Sequence, residues 1–218
     1  MTEPTSTPYP VTIRGDLTEP ISRWLFLVKW LLIIPHLVVL FFLYIGFIVS
    51  WVISLFAILF TGKYPRGLFD YNVGVQRWGW RVFFYSYNAL GTDKYPPFTL
   101  KTRDDYPADL YVRYPEKLSR RLVLVKWWLL LIPHTLVVAL FASGSSFQYP
   151  LWGAAIWSVA LPGLLATLLL FLAVANLFTG KYPKDIWVLV MGINRWICRV
   201  GGYTALMTDK YPPFRLGE

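Results

Sequence analysis

The sequence contains two long stretches without Lys, Arg, Asp or Glu, residues 30–62 and 127–180. All 21 basic and all 12 acidic side chains lie outside them. A charged side chain costs several kcal/mol in hydrocarbon, so this separation is typical of a chain that is solvated by lipid. Together with a hydrophobic content of 56%, it predicts an integral membrane protein.

Residues that carry chemistry are also scarce. The one cysteine, Cys198, excludes an intramolecular disulfide and gives no redox or zinc motif. The sequence has no Ser/His/Asp arrangement and no pair of acid/base carboxylates, and the Gly-Lys of residues 61–65 lacks the other residues of a phosphate-binding loop. We therefore predict a protein that is not an enzyme and that holds no cofactor or metal.

Positive charge is in excess, with a net charge of +9 and an isoelectric point near 9.7. The basic residues border the apolar stretches and are mixed with Trp and Tyr, which fits an anionic inner leaflet and not a nucleic-acid groove. The segment between the stretches, residues 63–126, is strongly basic. Because Lys and Arg favour the cytoplasm, each stretch should cross an even number of times, with both termini cytoplasmic.

The lengths of the stretches suggest how they cross. At about 20 residues per crossing, the second stretch divides into residues 122–142 and 151–178 around a turn at residues 143–150. The first must reverse near residues 44–46, with both legs at the lower limit for spanning. The predicted fold is all-α, with two hairpins and four transmembrane helices. A rival keeps the first hairpin re-entrant, so that it does not fully cross.

The two halves of the chain repeat each other. Matching segments are Leu59-Phe-Thr-Gly-Lys-Tyr-Pro65 with residues 177–183, residues 92–98 with 208–214, Arg77-Trp78 and Arg81-Val82 with Arg195-Trp196 and Arg199-Val200, and Ile34-Pro-His36 with Ile132-Pro-His134. We predict tandem membrane repeats at residues 9–100 and 106–218, with a disordered tail at 1–8 and a linker at 101–105. Repeats in the same orientation imply a pseudo-two-fold axis along the membrane normal.

The order of these motifs resembles the bacterial membrane family catalogued as domain-of-unknown-function family 4389, in two copies that cover nearly the whole chain. The resemblance implies a small integral protein of the bacterial inner membrane. It brings no assigned activity.

A helix is predicted after each hairpin, at residues 66–90 and 184–206. Arginines four apart would be costly inside a span, so both are predicted to be amphipathic helices in the membrane interface. Candidate contacts to anionic lipid headgroups are Arg77, Arg81, Arg195, Arg199, Lys63 and Lys181. Alternatively, the arginines snorkel or pair with a carboxylate such as Asp70, Asp93 or Asp209.

Four residues are predicted to anchor the spans at the membrane surface, Lys29, Trp30, Lys126 and Trp127, with the ammonium groups turned toward water. Two intramembrane histidines, His36 and His134, are polar candidates that could face each other across the two-fold. The alternative is that each imidazole satisfies a carbonyl freed by the preceding proline.

Short strands are possible at residues 11–13, 98–100, 109–112 and 214–216, where a small cytoplasmic sheet could join the repeats. Plain extended chain is the alternative for runs this short.

The expected function is that of a non-enzymatic accessory or scaffold subunit of a membrane complex, with phospholipids and other integral membrane proteins as partners. The aromatic content of 18% offers broad packing area. The alternative is a lipid or small-molecule carrier, or a channel, that uses the seam between the repeats. An enzyme acting on lipid would need histidine chemistry without a carboxylate partner.

Overall fold

The computed structural model describes residues 8–126, 128–134, 136–137, 146–151, 154–160 and 163–217. Its helices are a 3-10 helix at Leu25–Leu27, α1 (Lys29–Leu32), α2 (Ile34–Thr61), α3 (Arg66–Tyr85), α4 (Leu122–Val125), α5 (Leu164–Thr179) and α6 (Lys184–Thr204). Its strands are β1 (Val11–Gly15), β2 (Ala108–Val112), β3 (Ser146–Leu151) and β4 (Ala154–Ala160).

Strands β1 and β2 join the two repeats as an antiparallel pair. Ile13 lies opposite Leu110, 97 residues further along the chain. The same separation relates Lys29 to Lys126 in the repeated sequence. Because a local two-fold axis relates paired antiparallel strands, the Ile13–Leu110 pair marks the pseudo-two-fold of the whole protein. The segments at 98–100 and 214–216 do not form strands.

The main elements stack in three layers. Helix α3 lies between β2 and α2, and helix α6 contacts both β1 and α5. The strand of each repeat therefore covers the middle-layer helix of the other repeat. Buried apolar side chains from both halves fill the space between the layers, including Phe84, Leu110, Val190 and Ile193. This exchange of strands makes the two repeats one folding unit.

Helix α2 runs without a break through the region where a reversal was predicted, so the predicted hairpin in the first stretch is wrong. The reason lies at Gly46, where a side chain would collide with the hydroxyl of Tyr71. That hydroxyl donates a hydrogen bond to the Leu43 carbonyl at 2.8 Å. The glycine is therefore a point of close approach between α2 and α3, not a turn. The helix ends instead at Gly62, whose φ of 73° is the left-handed conformation that glycine favours.

The second apolar stretch does not form two crossings either. Strands β3 and β4 pair where the predicted turn and the start of the fourth span were placed. Residues 156–159, Ile-Trp-Ser-Val, favour a strand, and Pro162-Gly163 interrupts any continuous helix. Helix α5 has only 16 residues, and residues 127, 135 and 138–142 of the third predicted span lie outside the described residues.

Among the described residues, α2 is the one helix that is long and apolar enough to cross a membrane. The predicted fold of four transmembrane helices in two hairpins is therefore wrong. The two predicted amphipathic helices do form, as α3 and α6, and they lie in the middle layer, between the strands and the helices α2 and α5. Trp78, Trp80 and Phe84 of α3 are buried inside the protein.

Candidate functional site: a cleft between the repeats

An apolar cleft lies where the two repeats meet. Its volume is about 620 Å³, and α2, α3 and α6 form its walls. Its apolar lining comprises Tyr44, Phe47, Ile48, Trp51, Trp80, Phe83, Ile197, Cys198, Val200 and Gly201. Ligand pockets typically measure about 300–1,000 Å³ and are mostly apolar with a few polar groups. The cleft has the size and lining of a site for an apolar ligand.

The cleft exists because the two repeats differ at matching positions. Arg77 and Arg195 occupy equivalent positions in the repeats. In the same alignment, Trp80 corresponds to Cys198 and Phe83 corresponds to Gly201. Helix α6 thus carries small residues where α3 carries large aromatic ones. A side chain at Gly201 would meet nothing within 4 Å. The loss of aromatic bulk from one copy leaves the space that the cleft occupies.

Polar groups are confined to a few positions around this cleft. The Asn194 amide donates to the Asn88 carbonyl at 2.7 Å and to the Val190 carbonyl at 2.9 Å. The Trp51 indole donates to the Thr204 carbonyl at 3.0 Å, across the seam. These bonds brace the walls and place amide groups near the apolar lining. Such groups could orient the polar end of a ligand.

The Cys198 thiol faces the same cleft. Burial raises the pKa of this thiol to about 12. Since the thiolate is the reactive form, burial disfavours reaction of this cysteine, and its side chain forms part of the apolar wall.

A smaller cavity of about 330 Å³ lies beside α5. It is lined by Phe26, Leu27, Tyr87, Leu90, Ala166, Leu169, Leu170 and Ala173. This cavity has about half the volume of the cleft between the repeats. The larger one is the stronger site candidate.

Each histidine packs among aromatic rings of its own repeat. His36 stacks on Phe98 with ring centroids 3.8 Å apart, and His134 stacks on Phe214 at 4.3 Å. The Trp78 indole donates to Nδ1 of His36 at 3.1 Å, so the neutral ring carries its proton on Nε2. Neither imidazole lines the cleft, and no group of three metal-ligating side chains occurs among the described residues.

The paired arginines of α3 are held inside the protein. Arg77 and Arg81 lie 2.9 Å and 3.1 Å from the two carboxylate oxygens of Asp109, which is fully buried. Burial lowers the pKa of Arg77, and Asp109 partly offsets this. The sequence offered Asp70, Asp93 and Asp209 as partners, but the partner is a carboxylate on strand β2 of the other repeat. Headgroup binding at these arginines stays a prediction that this geometry does not favour.

The matching arginines of α6 bind backbone carbonyls near the C terminus. Arg195 donates to Leu216 at 3.2 Å, and Arg199 donates to Arg215 at 3.1 Å and Gly217 at 2.6 Å. By contrast, Lys63 and Lys181 are exposed just beyond the glycines that end α2 and α5. These two lysines remain available for anionic headgroups.

The predicted anchoring lysines turn inward. Lys29 lies 3.0 Å from Asp93, and Lys126 lies 2.8 Å from Asp209, with both ammonium groups buried. Burial lowers the pKa of each lysine, while the neighbouring carboxylate raises it in part. Trp30 is exposed as an anchor would be, and Trp127 lies outside the described residues.

The comparisons with known proteins agree with the duplication. The family model described as "Domain of unknown function (DUF4389)" matches residues 23–99 and 147–215. No curated protein and no solved structure is significantly similar to the chain. The cleft residues were not among the sequence-predicted sites. The signal that could have found them was the replacement of Trp80 and Phe83 by Cys198 and Gly201 between the repeats.

Proposed function

We propose that this chain, which belongs to the DUF4389 family and carries two tandem copies of its domain, is a non-enzymatic protein of the inner membrane. It holds a lipid chain in the cleft between the repeats, here called the seam cleft. The observation that carries the proposal is the cleft of about 620 Å³ between the repeats. The apolar walls would take up a hydrocarbon chain by the hydrophobic effect.

The place of the cleft on the protein supports a ligand that arrives from the membrane. Tyr44 and Trp51 lie near the middle of the 28-residue apolar helix α2. Ile48 lines the cleft and is 61% exposed, so the cleft adjoins the exposed apolar face of that helix. A lipid chain could enter laterally without crossing water.

A cleft-filling variant tests this proposal. Gly201→Phe gives α6 the residue that α3 has at the matching position, and the position has free space. The matched control is Val188→Phe, which introduces the same side chain at a position that is 67% exposed and lies outside the cleft lining. Both proteins would be titrated in detergent with the fluorescent fatty acid cis-parinaric acid, and native mass spectrometry would detect lipids that co-purify.

We expect the wild type and Val188→Phe to bind the probe equally. Gly201→Phe should bind it at least about tenfold more weakly while its melting temperature stays the same. Equal binding by Gly201→Phe, or no binding by the wild type, would refute a lipid site in the cleft.

A second candidate is an accessory subunit of a membrane complex. The observation that favours it is the row of exposed aromatic side chains on the long helices, such as Phe41, Phe60 and Phe178 at 62%, 71% and 78% exposure. Large exposed apolar surfaces mark contacts with membranes or other proteins. Crosslinking in native membranes should then recover one integral membrane partner at constant stoichiometry. Recovery of the monomer alone would argue against this role.

A further inference from the structure

The outer layer of the protein presents a broad apolar face. Helix α2 contains no charged residue, and it buries one stripe made of His36, Leu40, Ser50, Ser54 and Ile58. Its remaining surface is exposed and apolar, as is that of α5. The large exposed side chains of these helices include Phe41, Ile48, Phe56, Phe60, Phe171 and Phe178.

The side of the protein that carries β1 and β2, here called the strand side, is charged. Asp16 follows β1, Arg113 follows β2, and the loop at residues 101–105 leads toward β2; all are exposed. This loop contains Lys101, Arg103, Asp104 and Asp105. Charged side chains avoid hydrocarbon, so this side requires water. The protein is thus a slab with one apolar face and one polar face.

The pseudo-two-fold axis fixes how α2 runs relative to this slab. Ser22 accepts a hydrogen bond from Asn176 near the end of α5, and Leu118 donates to Gly62 at the end of α2. The contacts beside them match in the two repeats, since Arg23 lies beside Gly180 and Arg120 lies beside Gly62. The two-fold therefore places Ser22 and Leu118 at about the same height along the axis. Ser22, from which the chain leads into α2, therefore lies at about the same height along the axis as Gly62 at the end of α2.

The connection from this level to the start of α2 is short. Residues 23–33 consist mainly of the 3-10 helix at Leu25–Leu27 and of α1, so they span about 20 Å at most. Helix α2 has 28 residues and is about 42 Å long. The rise of α2 along the axis is therefore less than half of the length of the helix. This rise is also smaller than the thickness of a bilayer core, which is about 30 Å. The helix axis of α2 is therefore mainly perpendicular to the pseudo-two-fold axis.

Exposed cations border the apolar face at the ends of the long helices. Lys63 follows the end of α2 and Lys181 follows the end of α5, while Arg23 and Arg120 pack beside Gly180 and Gly62. Cations at this level complement the phosphates of an anionic leaflet.

We infer that the protein occupies a single leaflet of an anionic bilayer, with α2 and α5 lying along the membrane plane and the strand side in water. This inference rests on the proposed membrane function and specifies how the chain meets the lipid. It assigns Lys63, Lys181, Arg23 and Arg120 to the headgroup level. It also places the mouth of the seam cleft among the acyl chains of that leaflet.

The first test uses membrane-impermeant maleimide on right-side-out and inside-out vesicles. In a Cys198→Ala background, Trp24→Cys and Lys63→Cys place thiols before and after α2, and Lys101→Cys marks the strand side. We expect all three to react in the same vesicle orientation only. Reaction of Trp24→Cys and Lys63→Cys in opposite orientations would show that α2 crosses and would overturn the inference.

The second test measures depth along α2. Phe41→Cys, Ile48→Cys and Phe56→Cys would carry an environment-sensitive fluorophore in bilayers that contain nitroxide-labelled lipids. All three labels should lie between the headgroups and the midplane of one leaflet. A central label at the bilayer midplane between two shallower ones would refute the in-plane arrangement.

Failure of this inference can be distinguished from failure of the proposed function. Alkaline carbonate should leave the protein in the membrane pellet. Its release would overturn the proposed membrane function together with the inference. If the protein stays in the pellet but α2 crosses the membrane, only the inference is overturned. Lipid binding in the seam cleft is then decided by the Gly201→Phe titration.

Discussion

The hydroxyl of Tyr182 donates a hydrogen bond to the carbonyl of Ala89 at 2.9 Å and thereby ties the second repeat to the first. The matching Tyr64 donates to Ala205 at 3.4 Å, which ties the first repeat to the second. Tyr182 and Ala89 are both buried, and burial raises the pKa of the Tyr182 phenol. This reciprocal pair shows that the repeats are joined by specific bonds as well as by apolar packing.

Tyr182→Phe should destabilise the protein by about 1–3 kcal/mol, because the Ala89 carbonyl loses its tyrosine donor in a buried site. The control is Tyr111→Phe, at a position where the side chain is 37% exposed. Thermal unfolding in a mild detergent would compare the two variants. Equal stability of both would show that the inter-repeat bond contributes nothing.

Two glycines in helices should respond to alanine in opposite ways. Gly46→Ala forces a methyl group against the Tyr71 hydroxyl and should lower the melting temperature. Gly67→Ala has open space and should stabilise α3 by about 0.5–1 kcal/mol, because alanine has less chain entropy to lose in a helix. A stabilising effect at both sites would contradict the close approach of α3 to Gly46.

Removal of the Asp109 carboxylate should be severely destabilising. Asp109→Asn leaves Arg81, which is fully buried, without its charge partner, and breaking a buried pair costs about 3–5 kcal/mol. Asp105→Asn is the control, since its ion pairs with Arg103 and Lys94 are exposed. Denaturant unfolding should show a large loss for Asp109→Asn only, and similar midpoints would contradict the structure.

The Cys198 thiol should react slowly and should report on the cleft. With a pKa of about 12, only about one thiol in ten thousand is ionised at pH 8. Alkylation by iodoacetamide should therefore accelerate about tenfold per pH unit between pH 7 and pH 10. As Cys198 is the one cysteine of the sequence, labelling is unambiguous.

The same reaction links the thiol to the proposed ligand. Saturation of the protein with cis-parinaric acid should slow alkylation of Cys198, because the ligand would cover the thiol in the cleft. Fast reaction at pH 7, or no protection by the fatty acid, would contradict the described environment of Cys198.

Local patterns in the sequence predicted much of the local structure. The Thr-Gly-Lys-Tyr-Pro motifs mark the ends of α2 and α5, and the glycine in each adopts positive φ as expected of a helix stop. The helical spacing around Arg77 predicted α3. The strands β1 and β2 lie where apolar and polar residues alternate. Each of these features depends on a few neighbouring residues, which is why sequence reasoning could reach it.

The sequence-based interpretation missed contacts where a residue acts through a distant partner. Gly46 was interpreted as a turn because nothing near it in the sequence reveals that Tyr71 packs there. Lys29 was predicted to anchor the chain at the membrane surface, which stays a prediction, while its ion-pair partner Asp93 lies 64 residues away and was not foreseen. Headgroup binding by the arginines of α3 stays a prediction, but their partner Asp109 was missed because it belongs to a strand of the other repeat. In each case a polar group has a protein partner that periodicity does not identify.

The sequence alone determined the separation of charged from apolar segments, the duplication and the ends of the main helices, because these follow from composition and short-range conformational preference. Only the tertiary structure decided which face of each helix is covered, because that depends on the exchange of β1 and β2 between the repeats. It also decided that the loss of Trp and Phe from one copy opens a cleft, since an empty volume is a property of packing between elements far apart in the chain.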